Sequence, residues 1–114
     1  DLKVIGIPKT IDNDLAVTDH SPGYGSAARY AAISASELAL DASGLPIHVV
    51  VLELMGRNAG WITAAGALAS KLTNTEQMVL LPERPYEEEG FSVVPAAKAF
   101  WLRSAKGSMI KTGT

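Results

Sequence analysis

The apolar stretch at residues 47–54, Ile-His-Val-Val-Val-Leu-Glu-Leu, constrains the fold more than any other part of the chain. A continuous Val/Leu run of this length predicts a strand buried on both faces of a parallel sheet. A glycine-rich turn follows at 55–60. Residues 61–72 then place Ile62, Ala65, Ala69 and Leu72 at helical spacing. A second strand is expected at 2–7 (Leu-Lys-Val-Ile-Gly-Ile), stopped by Pro8, which cannot donate to a ladder. A third is expected at 77–81, again ended by proline.

Between these runs, residues 26–42 read as an alanine-rich helix with Tyr30, Ile33, Leu38 and Leu40 for bulk. Gly44 is expected to supply a left-handed cap, and Pro46 prevents continuation. Glu87-Glu88-Glu89-Gly90 reads as a surface loop, and Pro95 opens a last helix closing near Gly107. Strand, loop and helix, repeated three times, predict an α/β fold: an open, mostly parallel sheet with helices on both faces. In such sheets ligands gather at the carboxyl ends of strands. Those ends precede residues 8–14, 55–60 and 82–84, where the chemistry is to be sought.

Bulk properties narrow the classes. At 114 residues the chain is long enough for one domain and too short for two. With 47% apolar and 19% charged residues, it has the balance of a globular core. A net charge of -2 gives no sign of a nucleic-acid surface or polybasic membrane patch. The absence of cysteine excludes a disulfide scaffold and thiolate metal sites, and it fits a reducing cytoplasm. No apolar run approaches the roughly 20 residues of a membrane span. Because the chain opens on Asp1, close to an expected strand, it reads as a piece truncated at both ends.

The segment Pro8-Lys9-Thr10-Ile11-Asp12-Asn13-Asp14 gathers a cation, a hydroxyl, two carboxylates and an amide. In an extended stretch Asp12 and Asp14 leave the chain on one side. Paired carboxylates suit a base plus a metal-facing acid, because Mg²⁺ takes oxygen ligands, and Lys9 offers a point charge to phosphate. A plain polar turn would also account for this composition. In Met55-Gly56-Arg57-Asn58-Ala59-Gly60-Trp61, the glycines let backbone approach a ligand and the next helix offers N–H groups to an anion. Arg57 could bridge phosphate oxygens with its planar fork. An ordinary strand-to-helix turn is again the bland alternative.

As strings, however, both segments resemble signatures of the phosphofructokinase family, in the order and at the separation expected there. The resemblance implies that Asp12 is the general base, taking the proton of a sugar 1-hydroxyl as that oxygen attacks a terminal phosphoryl group. It implies that Thr10 touches the sugar phosphate, with Ile11 also among the substrate-binding residues, and that Asp14 assists with Mg²⁺. Met55 and Gly56 would line the sugar site, and Arg57 would stabilise charge on the transferring group. Phosphoryl transfer needs positioning and charge neutralisation more than covalent chemistry, so this residue set is apt. Pro82-Glu83 resembles the family's Pro-Glu, whose carboxylate binds sugar hydroxyls.

Two positions carry further information. Many ATP-using members have glycine where this chain has Lys9, whereas pyrophosphate-using members resemble it; some ATP-dependent branches also carry lysine. Where many members have an arginine reaching the sugar phosphate of a neighbouring subunit, this chain has His48. That histidine could donate to phosphate or simply start a strand. His20, and the aromatic residues Tyr86, Phe91, Phe100 and Trp101, carry no expected role in chemistry.

The resemblance covers 3–83 and implies a cytoplasmic glycolytic transferase, a 6-phosphofructokinase. Its substrates would be fructose 6-phosphate and pyrophosphate, with ATP as the alternative donor and Mg²⁺ as cofactor, and neither nucleic acid nor membrane as partner. It also implies two similar α/β domains per subunit and a homo-oligomer. Residues 1–114 would then form a partial domain holding the sugar-phosphate and catalytic-base segments, inactive by itself. A non-catalytic paralogue that only binds sugar phosphate is a different reading; loss of Asp12 or Arg57 would have favoured it, and both are present.

Overall fold

Parallel pairing needs a crossover long enough to return the chain to the same end of the sheet, and the glycine-punctuated segment between the strands at 49–54 and 77–80 supplies short helices for it. The computed structural model describes residues 1–46, 49–75, 77–84 and 99–104. Its elements run α1 (Tyr24–Gly44), β1 (Val49–Leu54), α2 (Trp61–Gly66), α3 (Ala69–Thr73), β2 (Gln77–Leu80) and β3 (Ala99–Ser104).

Helix α1 is continuous because alanine fixes a helix at no side-chain entropy cost and no proline interrupts it. Its buried stripe is Ala31, Ala35, Ala39 and Ala42, at helical spacing, so a face of methyl groups seats it closely against α2, α3 and β1. The helix ends differently from the expectation placed on Gly44. Leu45 takes an extended conformation (φ -106°, ψ 161°) while its N–H still reaches Asp41 O at 3.0 Å. The clash of Pro46 with the residue before it enforces that geometry, and no left-handed glycine is needed.

The three strands form one parallel sheet in the order β1-β3-β2. β3 is central, with Val51 opposite Trp101 on one side and Met78 opposite Trp101 on the other. This corrects the helix expected to run from Pro95 to near Gly107. Alanine and lysine at 96–99 favour a helix locally, but Phe100, Trp101 and Leu102 suit a strand, and the space between β1 and β2 offers backbone partners on both sides. Tertiary pairing overrides local propensity there.

Strand β1 alternates. Val50, Leu52 and Leu54 pack with Val79 and Leu38 around a small core of Ala35 and Ala69. Val49 and Val51, on the other face, remain 54% and 60% exposed. The strand is therefore covered on one face among the described residues, not on both as its unbroken apolar run predicted. Helix 61–72 is also modified: Gly66 ends α2, and Leu68, Ser70 and Lys71 donate to carbonyls three residues back before α3 finishes. Such tight bonding is common where a weak helix former interrupts the run.

Residues 2–7 are not a strand. Leu2, Val4, Ile5 and Ile7 are 77–91% exposed, and no strand among the described residues pairs with them. β-propensity expresses fit to a half-buried, paired surface, and among the described residues this segment has no strand to pair with. No described helix is long and apolar enough to cross a membrane.

Candidate active site

Because β1 and β2 both run parallel to β3, the segments after their carboxyl ends emerge at one edge of the sheet. The first carries Met55, Gly56 and Arg57. Gly56 is buried with φ 129°, a conformation that side chains avoid, while Met55 and Arg57 on either side are exposed. The second segment carries Pro82 and Glu83. They meet at Gly60, whose N–H donates to Glu83 Oε1 at 2.7 Å. A Cβ at Gly60 would lie 2.7 Å from Leu81 Cδ2 and 2.8 Å from Glu83 Oε2, so only glycine admits this approach.

The start of α1 joins this pair of loops. Tyr24 sets its ring edge-on to Trp61, with centroids 6.5 Å apart, and its hydroxyl donates to Trp61 O in a long 3.4 Å bond. His20 in turn lies edge-on to Tyr24 at 5.1 Å. The loop at 8–14 is tied to the same helix start by a parallel bridge between Thr10 and Gly23. Lys9 folds its stem over Gly23, so that a Cβ there would lie 3.2 Å from Lys9 Cε, and Ile11 Cγ2 lies next to the same point. Three loops separated in sequence thus join through two bridging contacts, Thr10 with Gly23 and Tyr24 with Trp61, and one direct bond, Gly60 with Glu83.

Asp12 is the central side chain of the first loop. Its backbone N–H donates to Thr10 Oγ1 at 3.2 Å. Its Oδ1 is buried and has no hydrogen-bond partner among the described residues. Leaving a buried polar atom unpaired costs about 1–3 kcal/mol, and more for a charged group. An oxygen in that condition is poised to accept a donor from a bound molecule, as a base facing an alcohol would be.

The pairing expected of Asp12 and Asp14 is altered. Asn13 between them has φ 54°, so the stretch is not extended and alternation does not set the carboxylates side by side. Asp12 is half-buried and Asp14 exposed. Among the described residues no group of three or more His, Asp or Glu side chains could hold a metal ion. This donor set nevertheless fits Mg²⁺, which keeps several waters and is commonly held by one or two carboxylates plus substrate phosphates; the unpartnered Asp12 Oδ1 is compatible with such a neighbour.

Lys9, Thr10, Ile11, Asp12, Met55, Gly56, Arg57 and Glu83 thus sit on the three joined loops. His48 lies outside the described residues. Sequence reasoning missed Asn13, Ser21 and Tyr24, which hold the loops together. Asn13 carried one available signal, since asparagine is several-fold enriched at positive φ.

Comparison with known proteins identifies the family. Residues 1–110 match the family described as Phosphofructokinase. A pyrophosphate–fructose 6-phosphate 1-phosphotransferase from Xanthomonas campestris pv. campestris is 50% identical over 94 residues, 79% of this chain and 22% of its own length. An ATP-dependent 6-phosphofructokinase from Amycolatopsis methanolica is 44% identical over 90 residues, 79% of this chain and 19% of its own. The crystal structure of a pyrophosphate-dependent phosphofructokinase from Nitrosospira multiformis superposes with a TM-score of 0.72 at 35% identity, covering 88% of this chain and 28% of that one. The chain therefore spans about a fifth of the length of the curated relatives it matches. With the family matched over nearly its whole length and the three signature loops joined in space, this chain belongs to the phosphofructokinase family.

Proposed function

We propose that the full-length protein carrying this chain transfers a phosphoryl group from pyrophosphate to the 1-hydroxyl of fructose 6-phosphate, giving fructose 1,6-bisphosphate and inorganic phosphate. The observation that carries this reading is the buried, unpartnered Oδ1 of Asp12 on a loop joined to those of Arg57 and Glu83. In the reaction the sugar O1 forms a bond to phosphorus while the bridging P–O bond of pyrophosphate breaks. The O1 proton passes to Asp12, whose carboxylate suffices as base because the alcohol becomes acidic late in the transfer.

Arg57 stabilises charge on the transferring group, and Thr10, Ile11, Met55, Gly56 and Glu83 hold the sugar phosphate. Asp14 would hold Mg²⁺ together with phosphate oxygens, and the ion would supply charge neutralisation there. His48 is proposed as a further donor to the sugar phosphate. Residues 1–114 form part of one domain of a homo-oligomeric, cytoplasmic glycolytic enzyme on this reading.

Pyrophosphate is preferred because this chain carries Lys9, a point charge suited to phosphate, where many ATP-using members have glycine; its stem packs over Gly23 at the start of α1. The ATP-dependent relative at 44% identity supports the second reading, with ATP as donor. A side-by-side assay of the full-length protein with either donor, wild type and Lys9→Gly, separates them. Turnover with pyrophosphate that falls in the variant supports Lys9 as the donor-reading residue. Turnover with ATP alone refutes pyrophosphate as donor and leaves the sugar half of the reading standing.

A further inference from the structure

We propose that Asn13 is a positioning residue for the transfer, fixing Asp12 and coupling it to the loops of Arg57 and Glu83; this rests on the function proposed above. Asn13 is the residue through which the chain leaves Asp12, and its left-handed backbone sets that direction. Its side chain uses both ends of the amide. Nδ2 donates to Asp19 O at 3.3 Å, and Oδ1 accepts from Ser21 N–H at 2.8 Å. Asn13 thus closes the loop 13–21 on itself, directly after the base.

The closed loop holds a conformation it would not keep unaided. Val17, fully exposed, sits at φ 57°, a region unfavourable for β-branched residues, and such outliers persist only where the surroundings over-determine them. Thr18 Oγ1 donates to Leu15 O at 2.8 Å inside the loop, and the Asn13 amide fastens its far end.

From there the path continues to the other loops. Ser21, which Asn13 holds, is 2% exposed, and its carbonyl accepts from Tyr24 N–H at 3.1 Å. Tyr24 then reaches Trp61 O, next to the Gly60 that holds Glu83. On its other side, Asp12 is anchored by the bond from its N–H to Thr10 Oγ1. Among the described residues, Asn13 is therefore the one side chain that both borders the base and bonds to the segment leading to the second loop. Asn13 itself touches no reacting atom in this scheme. A small misplacement of a catalytic group is sufficient to lower a rate by about 100-fold.

The test uses the full-length protein with pyrophosphate and ATP in parallel, and Asn13→Gly, which keeps the left-handed backbone accessible while removing both amide bonds. Asn13→Gly is expected to lower kcat by about 100-fold with KM for fructose 6-phosphate changed less than about threefold, while the protein stays folded. Asn13→Asp, which keeps the acceptor for Ser21 N–H and loses the donor, should fall between. In an Asp12→Asn background, Asn13→Gly should lower kcat by less than about twofold further, since a residue acting through the base has nothing left to position. Amide exchange at Ser21 should quicken in Asn13→Gly. A full multiplicative loss in the Asp12→Asn background, or an unchanged kcat in wild type, overturns the positioning role while the proposed function stands. A wild-type protein inactive with both donors sinks that function first, and this inference with it.

Discussion

The carboxylate of Glu83 receives the backbone N–H of Gly60 at 2.7 Å, fastening the segment after β2 to the turn after β1 across the central strand. The contact stands between two segments that the sequence marks separately, one by Met-Gly-Arg and one by Pro-Glu. Its geometry leaves no room at Gly60 for a side chain, because a methyl group there would meet Leu81, Pro82 and Glu83 at 2.7–3.1 Å.

Gly60→Ala therefore displaces Glu83 or the segment that carries it. The expected destabilisation is about 1–3 kcal/mol, as for other overpacked sites. Thermal denaturation of the full-length protein reads it, and a raised KM for the sugar phosphate should accompany it. A variant with unchanged Tm and KM would mean that the Gly60–Glu83 approach is looser than described.

Val17 offers a change in the opposite direction. It lies fully exposed at φ 57°, so it contributes strain without burying surface. Val17→Gly should be neutral or stabilising, by up to about 1 kcal/mol, because glycine takes that conformation freely. Chemical denaturation compares the two proteins, and a clear loss of stability would contradict the strain assigned to Val17.

The alanine stripe of α1 should be intolerant of bulk. Ala35 has no exposed surface and packs with Ala69 beneath Val50 and Leu52. Ala35→Leu is expected to destabilise by about 1–3 kcal/mol through forced separation of α1 from the sheet. At exposed Ile33 on the same helix, Ile33→Ala should change stability far less. Equal effects at the two positions would remove the distinction between the buried and open faces.

Much of this organisation is legible in the residues themselves. Strand β1 follows from its Val/Leu run, α1 from its alanines, and the three joined loops from Asp12, Arg57 and Glu83 at the carboxyl ends of strands or beside the start of α1. What escaped depends on partners distant in sequence. Leu2, Val4, Ile5 and Ile7 have the composition of a strand, but pairing is a property of two segments, and local sequence does not report that no described strand lies beside them. Around Phe100 the reverse holds, since neighbours on both sides make a strand of a stretch whose flank favours helix. Asn13 was hidden for a different reason: it lies between two carboxylates that draw the chemical reading, while its own role is to bond Asp19 O and Ser21 N–H.

The central claim is that Asp12 acts as the base of a phosphoryl transfer to fructose 6-phosphate. The most direct test is the steady-state rate of fructose 1,6-bisphosphate formation by the full-length protein and its Asp12→Asn variant, with pyrophosphate and Mg²⁺ saturating. The account predicts a drop in kcat of about 10²–10⁴-fold in the variant, the usual contribution of a positioned general base, with KM for fructose 6-phosphate nearly unchanged. A variant that keeps the wild-type kcat would contradict it.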